Sequence, residues 1–222
     1  MHYEKLGRRD IARLVAQDIA DGAYVNLGIG MPTLVAAYLP ADRDVILHTE
    51  NGIVGMGPGD PDGPLDLDLI NASKEAVTLL PGASITDHVV SFAMMRGGHL
   101  DLTVLGAFQV SEKGDLANWD TGAADTIPAV GGAMDLVAGA RQVYVMMEHV
   151  TKDGKPKIVP ECSYPLTGKG VVDRVYTDVA IIDILPGPLR VRAMVAGLSF
   201  DELQAMTGCP LELATDCRTL TP

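Results

Sequence analysis

The first apolar pattern along the chain has the spacing of a helix. Within residues 8–21, apolar side chains recur every three or four positions and predict a helix that ends at Gly22. The four apolar positions are Ile11, Leu14, Val15 and Ile19. Beyond Gly22 the pattern changes to short apolar runs, which are typical of strands.

Apolar runs and helical patterns then alternate along the chain. The runs that predict strands are residues 23–29, 44–50, 76–80, 100–110, 141–150, 174–185 and 189–197. The patterns that predict helices are residues 28–39, 82–98 and 131–139, and a last helix that begins at residue 199. Residues 51–71 are rich in turn-forming types and are predicted to be irregular.

Residues that cap helices and form turns mark several of these boundaries. Ser84 or Thr86 is suited to cap the helix in residues 82–98, and Ser199 with Glu202 fits a capping box. The pair Asp153-Gly154 is a strong hairpin signal. These signals predict compact connections between the elements.

The order of the elements indicates the fold class. Strands that alternate with helices predict an α/β fold with a mainly parallel sheet. The hairpin-rich C-terminal third predicts antiparallel strands at one edge of that sheet. Because no repeat or linker divides the sequence, we expect one domain over residues 1–222.

Composition and charge exclude several classes of partner. Hydrophobic residues make up 47% of the 222 residues, and the formal net charge is −12. So negative a protein is not expected to bind nucleic acid or an anionic membrane surface, since both need a basic face. No segment approaches the ~20 apolar residues of a membrane span, and the first 22 residues lack the apolar core of a signal peptide.

The cysteines and histidines give no metal or disulfide signature. Three cysteines without compact spacing, Cys162, Cys209 and Cys217, indicate a reducing, cytoplasmic setting. The histidines form neither HExxH nor HxH, so no metal site is predicted. The histidines are read by default as surface or satisfied core residues. His48 would share a strand face with Glu50, so a role in tuning it is the alternative.

The stretch HTENGIVGMGPG, residues 48–59, combines a carboxylate with four glycines. Glu50 falls just where a predicted strand ends, and ligands collect beyond the carboxyl ends of strands in open α/β sheets. The glycines permit close approach of a ligand to the backbone. A carboxylate that only caps a nearby loop explains the position equally well.

Three further features are weaker candidates. Asn26, Gly28 and Gly30 lie in a GxG turn that lacks the third glycine of a dinucleotide site; it could hold an anion or be a plain strand–helix turn. The pair Gly131-Gly132 opens a predicted helix and could hold an oxyanion or mark a close backbone crossing. The last is Lys74, which is a candidate anion ligand or a solvated charge.

Several longer motifs together resemble the B subunit of family I CoA-transferases. The likeness runs from about Arg8 to about Pro210. The motifs are ENGIVGMGP, LINASKEAVTLLPGAS, SFAMMRGGHLDLTVLGAFQV, GDLANW, GGAMDL and CSYPLTGKG. The segment DTGAADTIPAVGGAMDL is most similar to the 3-oxoadipate branch of the family. The resemblance implies an open three-layer α/β/α domain and a separate A subunit, in a heterodimer or heterotetramer with the active site between the subunits.

The resemblance also implies a reaction and its residues. Glu50 would be the nucleophile of a ping-pong transfer from succinyl-CoA to 3-oxoadipate, with acetoacetate or acetate as alternative acceptors. Coenzyme A thioesters are substrates, and no tightly bound cofactor is expected. Two sets of residues match further family positions. Gly131 and Gly132 match the oxyanion hole, and Asn26, Gly28, Gly30 and Lys74 match the coenzyme A site.

Some questions stay open at this stage. Arg96 and His99 are candidates for the distal carboxylate of 3-oxoadipate, and nothing in the sequence chooses between them. A sugar-phosphate isomerase that uses Glu50 as a base and a non-catalytic protein of the same fold are rival hypotheses.

Overall fold

The computed structural model describes residues 3–57, 66, 68–123 and 127–222. The helices are α1 (Arg8–Asp18), a 3₁₀ helix (Met31–Tyr38), α2 (His88–Arg96), α3 (Ala133–Gly139) and α4 (Phe200–Ala205). The strands are β1 (Tyr24–Leu27), β2 (Ile46–His48), β3 (Ile53–Gly57), β4 (Thr78–Ile85), β5 (Leu102–Gly106), β6 (Gln109–Ser111), β7 (Leu116–Ala117), β8 (Gln142–Met146), β9 (Ile158–Val159), β10 (Arg174–Tyr176), β11 (Ala180–Asp183), β12 (Leu189–Val195) and β13 (Leu211–Leu220).

Ten strands form one mixed sheet. Their order is β13-β12-β11-β10-β8-β5-β1-β2-β3-β4, and the five central strands from β10 to β2 are all parallel. The buried runs of β5 and β8 fit this position, since strands covered on both faces are apolar throughout. The carboxyl ends of the central strands therefore meet at one edge.

Antiparallel strands flank this parallel centre on both sides. On the C-terminal side β11 runs antiparallel to β10 and β12, as predicted. On the other side β3 runs antiparallel to β2 and β4, which the sequence did not indicate. Strands β7, β6 and β9 form a separate small sheet.

The helices pack in two pairs, α1 with the 3₁₀ helix and α2 with α3. The backbones of α2 and α3 approach so closely that a Cβ on Gly139 would lie 1.7 Å from the carbonyl oxygen of Met95. The ion pair Arg96–Asp135, at 2.6 Å, joins the same two helices. This packing fixes the start of α3 relative to α2.

The predicted α/β fold class is confirmed. The predicted end of α2 and the predicted start of α4 are confirmed as well. Helix α2 ends at Arg96 against a C-cap Gly97, and α4 carries the predicted capping box. In that box the Ser199 N–H donates to Glu202 Oε2 at 2.8 Å. Helix α1 ends at Asp18, before Gly22, so the predicted stop was wrong by one turn.

Two predictions about strands were wrong at glycines, which were read as loop signals in residues 51–71 and passed over at Gly106. Residues 51–71 are not wholly irregular, since β3 occupies Ile53–Gly57 and tolerates Gly55 at φ +85°. The predicted strand over residues 100–110 divides after Gly106, where the chain leaves the large sheet for the small one.

Other boundaries also differ from the predictions. Asp87, rather than Ser84 or Thr86, caps α2 by accepting from the Val90 N–H at 2.9 Å, because Ser84 still belongs to β4. The pattern of residues 174–185 contains the two strands β10 and β11. Strand β13 was not predicted, and it pairs in parallel with β12 after the α4 crossover.

The Asp153-Gly154 turn forms with Gly154 at φ +80°, and a single antiparallel bridge joins Val150 to Pro156. Strand β9 then pairs in parallel with β6, so the turn closes no strand hairpin. Among the described residues, none of the helices has the length and apolar character needed to cross a membrane.

Candidate active site

A cleft of about 830 Å³ opens at the carboxyl edge of the parallel strands. It is lined by segments that follow β1, β2, β5 and β8, by parts of residues 71–77 and by the start of α3. This is where an open α/β sheet is expected to bind ligands. Glu50, Gly131 and Gly132, which lie far apart in the sequence, all line it.

Glu50 lies in a tight turn between β2 and β3. The Thr49 N–H donates to the Ile53 carbonyl at 2.8 Å, and the Gly52 N–H donates to the Thr49 carbonyl at 3.0 Å. The Thr49 hydroxyl accepts from the Ile53 N–H at 3.1 Å and donates to Asn51 Oδ1 at 2.5 Å. These bonds close the turn around Glu50, so its backbone has little freedom.

The turn is also fixed to the chain that enters α2. Gly52 has φ +115°, and a Cβ there would lie 2.2 Å from the Thr86 carbonyl oxygen. The Thr86 N–H donates to the Gly52 carbonyl at 2.8 Å. Gly52 is therefore required both by its left-handed conformation and by the close approach of Thr86.

The Glu50 carboxylate faces the glycine pair at the start of α3. A Cβ on Gly132 would lie 2.3 Å from Glu50 Oε2, and one on Gly131 would lie 3.8 Å from Oε1. Gly131 has φ +53°, which also favours glycine. Among the described residues, no hydrogen bond or ion pair engages the Glu50 carboxylate. The carboxylate is therefore unengaged by the described residues, and at position 132 only glycine leaves room beside it.

A buried polar chain lies behind the turn. Asn26 Nδ2 lies 3.2 Å from His48 Nδ1, and His48 Nε2 lies 3.0 Å from Ser91 Oγ. The Ser91 hydroxyl donates to the carbonyl oxygen of Thr49 at 3.2 Å, next to Glu50. Because Asn26 Nδ2 can only donate, His48 accepts at Nδ1 and donates from Nε2.

Burial lowers the pKa of His48 to about 4. The ring is therefore neutral at physiological pH and offers one acceptor and one donor, as the chain requires. A proton on Nδ1 would face the donor Nδ2 of Asn26 and break this contact. The arrangement makes His48 a positioning residue for the Glu50 turn.

The other residues predicted for the site differ in whether they line the cleft. Asn26 lines the cleft, but its Nδ2 is engaged with the ring and carbonyl of His48. Gly28 lines the cleft and allows β1 to approach β5, since a Cβ there would lie 3.1 Å from the Val104 carbonyl oxygen. Gly30 begins the 3₁₀ helix at φ +87° and does not line the cleft.

Lys74 is exposed and lies outside the cleft lining. Its sequence neighbours Ser73 and Glu75 line the cleft, but Lys74 does not. Its φ of +65° is the one left-handed value among the described non-glycine residues. The Asn71 carbonyl accepts from its N–H at 3.0 Å. Sequence reasoning missed Ser91, whose spacing from His48 gave no local signal.

Comparison with known proteins identifies the family. Residues 8–201 match the family model described as Coenzyme A transferase. The chain is 60% identical over 215 residues to the B subunit of 3-oxoadipate CoA-transferase from Acinetobacter baylyi, covering 97% of this chain and 99% of that one. It is 47% identical over 203 residues to the B subunit of a probable succinyl-CoA:3-ketoacid coenzyme A transferase from Bacillus subtilis, covering 91% and 94%.

A solved structure supports the fold. The chain matches the acyl-CoA transferase apoenzyme of Escherichia coli O157:H7 with a TM-score of 0.75 at 20% identity, over all of this chain and 44% of that one. At this identity the match concerns the fold alone. The resemblance found in the motifs is confirmed by the family match and the curated relatives: the chain belongs to the coenzyme A transferase family and is a CoA-transferase.

Proposed function

We propose that the chain is the B subunit of a transferase that moves coenzyme A from succinyl-CoA to 3-oxoadipate through covalent intermediates on Glu50. The observation that carries the proposal is the unengaged Glu50 carboxylate, which faces Gly131 and Gly132 inside the cleft. A carboxylate with a free approach on one side is what an attack on a thioester carbonyl needs.

The proposed reaction proceeds by ping-pong steps. Glu50 attacks the thioester carbonyl of succinyl-CoA and expels the CoA thiolate, which leaves a glutamyl–succinyl anhydride. The thiolate then attacks the glutamyl carbonyl, so succinate departs and a glutamyl-CoA thioester remains. The 3-oxo acid attacks this thioester to form a second anhydride and release the thiolate. Attack of the thiolate on the substrate acyl carbon gives the new acyl-CoA and regenerates Glu50.

A carboxylate suits this exchange better than a hydroxyl. An acyl anhydride is as activated as a thioester, so each step stays reversible, whereas an ester would trap the acyl group. An ordinary glutamate is ionised at neutral pH and needs no general base. Water must be excluded, because it would hydrolyse either intermediate.

Each attack develops negative charge on a carbonyl oxygen. In the described part of the chain, the N–H groups of Gly131 and Gly132 donate to no protein acceptor. They are therefore free to donate to an oxyanion beside Glu50. Loss of one such donor typically costs ~3–4 kcal/mol in transition-state stabilisation. A second donor would come from the A subunit.

Coenzyme A would lie along the floor of the cleft. We assign Asn26 and Gly28 to that floor, with Gly30 and Lys74 at its ends, and the positions of Asn26 and Gly28 in the cleft lining support this. The exposed Lys74 ammonium is suited to a phosphate of the nucleotide. Binding of these remote groups would offset the strain at the thioester.

The identity of the acceptor is supported by the relatives. The 60% identical protein carries the name of a 3-oxoadipate CoA-transferase, and the 47% identical one that of a 3-ketoacid enzyme. We therefore place 3-oxoadipate first and acetoacetate second. Their relative kcat/KM values in the assembled enzyme decide between them.

An A-type partner would complete the site. The relatives are named as B subunits, and apolar side chains at the cleft remain open to solvent. Ile29 is 69% exposed and Phe108 is 39% exposed, and both line the cleft. A partner that covers them would bury apolar surface and exclude water from the anhydride in the same step.

The test is to trap the intermediate in the complex with an A-type partner. Incubation with acyl-CoA alone should form glutamyl-CoA, and borohydride should then reduce it, abolish activity and change the mass of the Glu50 peptide. Glu50→Gln is the matched control and should show no mass change. If borohydride leaves activity and the peptide mass unchanged in the wild-type complex, Glu50 does not act covalently and the proposal is wrong.

A further inference from the structure

Lys157 is a cation inside the cleft to which the reaction assigns no role. All 17 lysines and arginines lie in the part of the chain that the structure describes, and of these Arg8 and Lys157 line the cleft. In a chain of net charge −12, an anionic substrate needs local cations. The two cleft cations are therefore the first candidates for contact with an acid.

Lys157 is the less engaged of the two. Arg8 lies 4.0 Å from the carboxylate of Glu148, and 71% of its side chain is exposed. Lys157 is half-buried, and its ammonium makes no ion pair or side-chain hydrogen bond with any described residue. Burial lowers the pKa of Lys157, while the more distant charges of Glu148 and Asp178 oppose that shift. A bound anion would compensate the desolvation of this ammonium.

The backbone of Lys157 is fixed at the start of β9. Its N–H donates to the His149 carbonyl at 3.2 Å, and its carbonyl accepts from the Val110 N–H at 3.0 Å. Strands β2, β1, β5 and β8 are successive neighbours in the sheet. The end of β2 leads to Glu50, and the end of β8 leads to the segment that contains His149. These two ends are three strand spacings apart, which is about 14 Å at ~4.8 Å per spacing. Glu50 and Lys157 both line this cleft, so an acyl group that reacts at Glu50 can extend across the cleft towards Lys157.

We propose that Lys157 binds the distal carboxylate of a dicarboxylic acyl group while the other end of that group reacts at Glu50. This inference rests on the proposed function and names the substrate class, four- to six-carbon acids with a second carboxylate. Both succinate and 3-oxoadipate belong to it. Lys157 would thus favour dicarboxylic acids over monocarboxylic ones of equal length.

The other cations near the site are less suitable. Arg96 pairs with Asp135 at 2.6 Å, stacks on Phe92 with its guanidinium carbon 5.4 Å from the ring centroid, and does not line the cleft. His99 and Lys74 do not line it either. The sequence-based candidates for the distal carboxylate, Arg96 and His99, are therefore replaced by Lys157.

The test compares two acceptors that differ only at the far end. In the complex with an A-type partner, kinetics are measured with 3-oxoadipate and with 3-oxohexanoate, which carries a methyl group in place of the distal carboxylate. Lys157→Met keeps the length of the side chain and removes its charge. Lys155→Met is the matched control, because Lys155 is exposed, pairs with Asp153 at 2.7 Å and lies outside the cleft.

Lys157→Met should raise the KM for 3-oxoadipate and for succinyl-CoA roughly 10- to 100-fold, the usual effect of losing a hydrogen bond to a charged group. The KM for 3-oxohexanoate should change less than about threefold, and Lys157→Arg should restore most of the preference for 3-oxoadipate. The activity with 3-oxohexanoate also shows that the variant is folded and assembled.

Two results would overturn the assignment. Equal effects on both acceptors, or none on either, would show that Lys157 does not read the distal carboxylate. A raised KM for acetyl-CoA would assign Lys157 to the phosphates of coenzyme A. Absence of transfer by the wild-type complex would instead contradict the proposed function, so the two failures can be told apart.

Discussion

Two histidines are buried in nearly identical chemical settings. His48 is 3% exposed and His149 is 0% exposed, and burial lowers the pKa of each to about 4. Both rings are neutral at physiological pH, and each bridges two polar side chains. The partners of His48 are Asn26 and Ser91, and those of His149 are Thr177 and Thr207.

The two hydrogen-bonded chains end in different places. The chain through His48 reaches the Thr49 carbonyl, beside Glu50. The chain through His149 reaches the Leu203 carbonyl in α4, and the Thr207 hydroxyl makes this last bond at 2.8 Å. The first therefore supports the turn that carries Glu50, and the second joins the segment after β8 to the C-terminal helix. Similar burial and similar pKa shifts thus occur beside the proposed nucleophile in one region and in a purely structural contact in the other.

The largest expected effect is a loss of kcat on substitution of Glu50, in the region that His48 supports. Glu50→Gln should lower kcat in the assembled complex by about 10⁴-fold or more, since it removes the nucleophile. Its free energy of unfolding should change by less than about 0.5 kcal/mol, because no described residue bonds to this carboxylate. Turnover assays and urea denaturation measure both quantities, and full activity of the variant would contradict the assignment.

A steric change beside Glu50 should have the next largest effect. Gly132→Ala should lower kcat about 10³-fold, because the new Cβ would lie 2.3 Å from Glu50 Oε2 and displace the carboxylate. Gly106→Ala is the control, since its Cβ would meet nothing closer than the Met146 carbonyl oxygen at 4.0 Å. Equal losses of kcat in the two variants would mean that the loss does not come from the close approach of residue 132 to Glu50.

On the structural side, His149→Leu should reduce the free energy of unfolding by roughly 3 kcal/mol. The substitution leaves the Thr177 and Thr207 hydroxyls without their ring partner in a dry interior. At 25 °C kcat should stay within about twofold of wild type. His99→Leu, at an exposed position, is the control for loss of a histidine. A loss of kcat without a loss of stability would reverse the assigned roles.

A smaller effect separates positioning from acid–base catalysis at His48. His48→Leu should lower kcat about 10- to 100-fold with little change in KM, since the Thr49 carbonyl loses its ordered partner. His48→Gln should stay within about threefold, because a glutamine amide also offers one acceptor and one donor. If the glutamine variant were as slow as the leucine variant, the ring would have a role beyond its two hydrogen bonds.

The smallest expected effect is a pH dependence of the free energy of unfolding, to which both histidines contribute. Each folded pKa lies below the unfolded value of about 6.5, so the unfolded chain binds protons first and stability is lost as pH falls from about 6.5 towards 4. Between pH 7 and pH 6 each histidine should reduce the free energy of unfolding by roughly 0.5–1 kcal/mol. Urea denaturation at both pH values measures this, and His48→Gln and His149→Gln should each remove about half of the slope.

The candidate residues Glu50, Gly131 and Gly132 could be recognised in the sequence because their signals are local. Glu50 follows an apolar run and precedes several glycines, and Gly131-Gly132 opens a helix, so each could be read from adjacent residues. The rule that ligands lie at the carboxyl edge of an α/β sheet pointed to Glu50, and only the resemblance to the family placed Gly131 and Gly132 in the same site. The apolar runs were sufficient for the central strands.

The rest depended on contacts between distant segments. Ser91 lies 43 residues after His48, and no sequence pattern predicts their contact. Strand β13 was missed because many of its side chains are exposed, so it lacks an apolar pattern. In the sequence, Lys157 resembles Lys155, and only the return of the chain onto β6 places one in the cleft and the other in solvent.

The crossing of α2 and α3 has a consequence for mutational maps of this protein. Gly139 lies outside the cleft, yet any side chain there would press on the Met95 carbonyl and displace α3, which begins beside Glu50. A random library scored only for lost turnover would therefore rank Gly139 with the reacting residues. Such a map would identify residues of the contact between α2 and α3 as well as residues that bind the substrate.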